Sequence, residues 1–197
     1  MPQVVCAQVG SALRMANLLA LDQASITTGY AIFKDGKYSS HGKFSFDDHD
    51  IGMRLVKIRN KVLELIREND ITEIAFEDIQ YQERVMNNVQ TFKTLAEVYG
   101  VIQETLTELG LKYTIVSSST WKSTLGIKGA NRPEQKRNAQ QYVINTYNIK
   151  PTQDECDAIC IGTHMSKLAA ASFDWSQGKL EQEIHFSLHI IWIGVLI

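Results

Sequence analysis

Proline and cysteine are both rare in this chain, with three of each in 197 residues, and positive charge is not in excess. So few prolines, with no internal repeat and no low-complexity stretch, exclude a polyproline-type linker protein and a solenoid. The cysteines, Cys6, Cys156 and Cys160, are odd in number and lack zinc-site spacing with histidines. That excludes a disulfide framework and points to reduced, intracellular thiols. Lys and Arg number 20 against 22 Asp and Glu, a formal net charge of −2. A uniformly basic nucleic-acid binder is thereby excluded, and any such surface has to be a local patch. No basic segment followed by a compact apolar core opens the chain, so no signal peptide is read. The longest apolar run, IHFSLHIIWIGVLI at 184–197, is shorter than the about 20 residues of a bilayer span, and no membrane role is expected.

What remains is an ordinary globular composition, 44% apolar and 21% charged, sufficient for one domain. Residues 1–17 read as an N-terminal extension, 18–172 as the domain, and 173–197 as a tail of uncertain role that carries an aggregation hazard. Within the domain, LLALDQ at 18–23 is a short apolar run closing on an acid, the mark of a buried strand. GYAIF at 29–33 is a second strand, and Lys34-Asp35-Gly36-Lys37 is a hairpin turn into a third at 38–46. Met53, Leu55, Ile58, Val62, Leu65 and Ile66 recur at helical spacing, which predicts a helix over 50–69 with Asp50 as N-cap. EIAFE at 73–77 is the next strand and again ends on an acid. A polar loop at 80–88 leads to a helix over 89–109, with Phe92, Leu95, Ala96, Tyr99, Ile102 and Leu106 on its inner face and Gly110 as its stop. A fifth strand at 113–116, a basic loop, and helices over 134–147 and 153–170 complete the order. The order predicts an α/β fold, a mixed five-stranded sheet with helices on both faces.

Four acids stand out by position. Asp22 and Glu77 close two apolar strands, and Asp154 and Asp157, three apart on the last helix, share a face. Any one of them can equally be a turn former or a helix cap, and Asp78 competes with Glu77 because alternation puts only one on the site side. Together they form a set of carboxylates on rigid elements. Gathered carboxylates repel one another unless cations are present, and Mg2+ takes carboxylate oxygens while keeping waters and binding phosphate. Two such ions about 3.5–4 Å apart serve an in-line phosphoryl displacement with no protein nucleophile.

LALDQASITTGYAIF at 19–33, IAFEDIQ at 74–80 and DECDAICIGTH at 154–164 resemble, in order, the three acidic motifs of the RuvC-type Holliday-junction resolvases, above all the divergent phage and prophage forms of Gram-positive bacteria. The resemblance runs from about 19 to 168. It implies an RNase H-like fold, a homodimer, paired cuts in branched DNA leaving 5′-phosphates, and two Mg2+ (or Mn2+) ions per site held by Asp22, Glu77, Asp154 and Asp157. It implies no obligatory motor partner. Many relatives have Asp-Pro-Gly where this chain has Asp22-Gln23-Ala24, a departure that bears on the turn.

The basic residues between Ser117 and Arg137 are Lys122, Lys128, Arg132, Lys136 and Arg137, against the single acid Glu134. They suit phosphate contact by shape, helped by the hydroxyls of 117–120 and a flexible loop carrying Gly126 and Gly129. Lysines resembling Lys122 and Lys136 contact DNA near the cut in the family, and Lys122, a few residues after the fifth strand, is expected nearest the metals, where it stabilises charge in the transition state. Tyr81 is the candidate wedge at the branch point, with Arg84 and Asn87 on nearby phosphates. Tyr81 and Trp121 can equally be packing residues, and His164 is either a general base or a helix-end packing residue. Val98, Val101 and Leu109 offer surplus apolar surface on the long helix for a two-fold dimer. Other readings of the pattern are an RNA-processing nuclease of the YqgF type, a non-catalytic branched-DNA binder, and an actin-like or sugar-kinase-like ATP site. The last would need glycine-rich phosphate loops that the sequence lacks.

Overall fold

A computed structural model of the chain describes residues 16–79 and 89–172. The expectations for the extension before residue 16, the 173–197 tail, Tyr81, Arg84 and Asn87 lie outside these residues. Five strands form one sheet: β1 Leu18–Asp22, β2 Thr27–Lys34, β3 Lys37–Ser45, β4 Glu73–Glu77 and β5 Lys112–Val116, in the order β3-β2-β1-β4-β5. The helices are α1 Ile51–Glu68, α2 Val89–Glu108, α3 Ser118–Leu125, α4 Arg132–Tyr147 and a last helix, α5, over 153–172. β2 and β3 are antiparallel and joined by Asp35 and Gly36, both at positive φ (50° and 72°), the backbone a two-residue hairpin turn requires. β1 pairs with β4, and β4 with β5, in parallel, so α1 and α2 serve as the crossovers that parallel pairing demands.

Strand alternation divides the interior in two. Leu19, Leu21, Ile74 and Phe76 face α1 and α2, where they pack with Ile58, Val62, Leu65, Val98, Ile102 and Leu106. Leu18, Ala20, Ala31, Phe33, Ala75 and Val116 face α3, α4 and α5, with Trp121, Leu125, Val143 and Ile159. Helices therefore cover both faces. Each buried Leu, Ile or Phe contributes about 1.5–3 kcal/mol of burial, which is why the central strands read as unbroken apolar runs.

Several sequence expectations are corrected. The basic loop contains α3, which Ser117 caps through the Thr120 N–H (3.2 Å) and Gly126 ends in the left-handed conformation. Trp121 and Leu125, four apart, are its buried face. Gly129 does not confer flexibility: a Cβ there would stand 2.7 Å from the Gln135 backbone nitrogen, and Asn138 Nδ2 donates to the Lys128 carbonyl (2.6 Å), so the loop is tied to α4. Met53 is 53% exposed. It sits five residues before Ile58, about 140° round the helix, and so falls off the Ile58, Val62, Leu65 stripe. Val98, assigned above to surplus outer surface, is fully buried on the same i+4 row as Ile102 and Leu106, and only Val101 and Leu109 keep part of that role. Among the described residues no helix is long and apolar enough to cross a membrane.

Candidate active site

The site begins with small residues. Ala20 pairs with Ala31 on one side and Ala75 on the other, a row of fully buried alanines across β2, β1 and β4. Lacking long side chains, this row lets α5 lie close to the sheet. One step further along the same face stands Asp22, paired with Gly29. A Cβ on Gly29 would lie 2.0 Å from the Asp154 carbonyl oxygen and 2.4 Å from its carbon, so the first turn of α5 rests directly on bare backbone. At the far end, a Cβ on Gly162 would meet Phe33 Cε2 at 2.1 Å. Two glycines, one on the strand and one on the helix, thus seat α5 over β2. Asp154 and Asp157 are thereby delivered to the end of β1.

Alternation also decides between Glu77 and Asp78. Ala75 belongs to the core on the α3–α5 side, so Glu77, two residues on, shares that side with Asp22. Asp78 follows the strand, and its charge bears on Tyr99 of α2, whose phenol is raised in pKa by burial first and by Asp78 second.

Asp22, Glu77, Asp154 and Asp157 all line one cleft of about 510 Å3, together with Gln23, Ser118, Trp121, Lys122, Arg132, Gln135 and Lys136. Burial first, then the charges of Asp157 and Glu77, push the Asp22 carboxyl well above its ordinary range, and a hydrogen bond shared with Glu77 keeps it there. Glu77 is raised by burial and by Asp157, against the opposing pull of Asp22, Lys122 and the nearby Trp121 indole. Asp157 is raised by burial, with Lys136, Lys122 and a hydrogen bond from Gln153 Nε2 (3.1 Å) working the other way. Carboxyls from β1, β4 and α5 therefore feel one another across the cleft, and two lysines from α3 and α4 face them.

Lys122, half-buried, rests its ammonium 5.1 Å from the Trp121 ring centroid. Lys136 and Arg132 also line the cleft, whereas Lys128 and Arg137 are exposed outside its lining. The Ser117, Ser119 and Thr120 hydroxyls bond to one another at the start of α3, and only Ser118 of that group lines the cleft. Trp121 is a buried anchor, 1% exposed. His164 is 3% exposed in the core, lowered in pKa by burial and absent from the cleft lining, which favours packing. Gln153, which the sequence did not single out, and Gln23, visible there only as a departure in the first turn, touch the site acids directly: Gln23 meets the Glu77 backbone and Gln153 the Asp157 carboxylate.

Among the described residues, no three His, Cys, Asp or Glu side chains are drawn together as a metal cage. The donor set nevertheless fits a hard divalent cation in kind. It is made of oxygens alone, and burial first, then neighbouring carboxyl charge, raises the pKa values of Asp22, Glu77 and Asp157, a cost that a bound cation would offset.

No family model and no curated protein matches the sequence. Solved structures do match. RuvC of Thermus thermophilus in complex with Holliday junction substrate aligns over 78% of this chain and 95% of that one, at 12% identity and a TM-score of 0.63. The yeast mitochondrial Holliday junction resolvase Ydc2 aligns over 80% of each chain at 12% identity and 0.54. A fowlpox virus resolvase bound to Holliday junction DNA aligns over 78% of this chain and 98% of that one, at 12% identity and 0.52. The fold is thus RNase H-like, similar to that of RuvC.

Proposed function

We propose that this protein is a metal-dependent endonuclease that resolves Holliday junctions and related branched DNA. The observation that carries this reading is the meeting of Asp22, Glu77, Asp154 and Asp157 in one cleft opposite Lys122 and Lys136. The likeness of the fold to junction resolvases supports it.

The four carboxylates are the residues that would hold divalent cations, Mg2+ or Mn2+. Two such ions, when bound, supply Lewis acidity to the attacking water and the leaving oxygen. The chain's own groups do the rest. Lys122 stands where its ammonium offsets negative charge developing on the phosphate. Trp121 and Ala139 wall the cleft on its apolar side and limit bulk water. Lys136 and Arg132 hold the flanking backbone, and Lys128 and Arg137, further out, add phosphate contacts that carry no sequence information. Water adds to phosphorus and the P–O3′ bond breaks, leaving a 3′-hydroxyl and a 5′-phosphate. Paired incision on opposed strands calls for two such sites, supplied by a two-fold dimer through the outer face of α2, with Leu109, directly after the helix, 45% exposed.

The test is incubation with labelled four-way, three-way, forked and duplex DNA, and with RNA, with and without Mg2+, beside Asp22→Asn and Asp157→Asn. The expected outcome is Mg2+-dependent cutting near the branch, lost in both variants while binding persists. Cutting of RNA alone points to the YqgF-type reading. Binding without cutting points to a scaffold.

A further inference from the structure

β1 and β4 run side by side in parallel only as far as the pair Leu21 and Phe76. Beyond Asp22 the chain of β1 leaves the sheet to turn into β2 at Thr27. β4 continues one residue further, to Glu77, and on its other side stays paired with β5 through Val116, whose carbonyl accepts from the Asp78 N–H at 2.9 Å. Glu77 would thus have an unsatisfied backbone N–H and C=O on the side that β1 has vacated. The Gln23 side chain fills that gap. The Glu77 N–H donates to Gln23 Oε1 at 3.1 Å, and Gln23 Nε2 donates in turn to the Glu77 carbonyl. Gln23 is 6% exposed and lines the cleft, so its amide is committed to this contact rather than to solvent.

We propose that Gln23 is a positioning residue for Glu77: its side-chain amide replaces a strand neighbour and fixes where the Glu77 carboxyl stands relative to Asp22. A primary amide presents one donor face and one acceptor face in the geometry of a peptide bond, and so it can continue the ladder where the backbone has turned away. Asn has the same group but is one methylene short. Gln23 also brings no charge, where a Glu would add a carboxylate beside four others and set it against the Glu77 carbonyl. The proposal rests on the reading of the cleft as the catalytic site. It gives a structural reason for Gln23 directly after the first acid, at the point where many of the resolvases this chain resembles have a proline.

The test compares the full chain with Gln23→Met, which keeps length and loses both hydrogen bonds, and Gln23→Asn, which keeps the amide and loses reach. Three readings are taken: Mn2+ uptake by calorimetry without DNA, hydrogen exchange at the Glu77 amide by NMR, and kcat and KM on a four-way junction. Groups that orient ligating carboxylates typically change metal affinity or activity by about 10–100-fold. Gln23→Met is expected to weaken Mn2+ uptake and kcat within that range, leave KM for DNA unchanged, and speed Glu77 amide exchange. Gln23→Asn is expected to do the same to a smaller degree, which keeps the test open if Gln23→Met does not fold. Uptake and kcat within twofold of wild type in both variants, beside strong uptake in wild type, overturn the proposal alone. Wild-type protein that takes up no Mn2+ overturns the reading of the cleft, and the proposal with it.

Discussion

Replacing Gly29 by Ala puts one methyl group between β2 and the first turn of α5. The added Cβ would lie 2.0 Å from the Asp154 carbonyl oxygen, where ordinary contact begins at 3.4 Å, so helix and strand must part by about 1.4 Å. Both sides of the contact are backbone, and neither can rotate away. The displaced segment carries Asp154 and Asp157, while Gly29 is paired with Asp22 on β1. The perturbation therefore widens the gap between the strand acids and the helix acids. Misplacing reacting groups by about 1 Å can cost about 100-fold in rate, and overpacking a tight contact costs about 1–3 kcal/mol. Gly29→Ala is expected to lower kcat on a four-way junction at least about 100-fold, with a melting midpoint about 2–4 °C lower per kcal/mol lost. Gly162→Ala is the control. It meets a Phe33 side chain rather than backbone, at the other end of the same contact, and is expected to cost similar stability with less than a tenfold loss of rate. The refuting result is Gly29→Ala protein that cuts at the wild-type rate, or the two variants losing rate equally.

The metal-free protein should lose stability as pH rises. Asp22, Glu77 and Asp157 all have raised pKa values in the folded state. Their contribution is full below the ordinary carboxylate range and is lost as pH climbs through the raised values. Asp22→Asn should accordingly melt above wild type at pH 7 in EDTA, with the gap closing toward pH 4, as thermal scans across pH would show. Mg2+ or Mn2+ at about 100 times its dissociation constant should stabilise wild type by about 2.7 kcal/mol and Asp22→Asn or Asp157→Asn far less, read as the shift in melting midpoint. Lys122→Ala should lower kcat with little change in DNA affinity. Lys128→Ala and Arg137→Ala should weaken binding and each reduce the slope of log affinity against log salt by about 1, measured by fluorescence anisotropy.

The acids themselves were legible because a buried strand that ends on a carboxylate breaks an otherwise apolar run, as in LLALD and EIAFE, and because i and i+3 acids must share a helix face. The hairpin at Asp35-Gly36 and the mixed character of the sheet were legible too, whereas the pairing of β1 with β4 emerges only from the structure. The means of assembling the acids was less visible. Ala20, Ala31 and Ala75 are unremarked in three separate strands and become a row only once the register is known. Gly29 reads as a strand glycine, and nothing local says that α5 lies on it. α3 was hidden because its Ser and Thr residues carry no apolar period, leaving only the spacing of Trp121 and Leu125 to betray it. Val98 was misplaced because α2 has apolar residues on more than one side, and only packing decides which row faces in. Gln23 was noticed as a departure in the turn, but its partner is the backbone of a residue 54 positions away, which no sequence pattern announces.

In the proposed mechanism, carboxylates from β1, β4 and α5 close on divalent cations in one cleft. Anomalous diffraction from crystals soaked in Mn2+ tests it most directly. Mn2+ peaks are expected beside Asp22, Glu77 and the Asp154–Asp157 face of α5, and their loss in Asp22→Asn. Peaks confined to other parts of the surface, or peaks in the cleft that Asp22→Asn leaves unchanged, would contradict it.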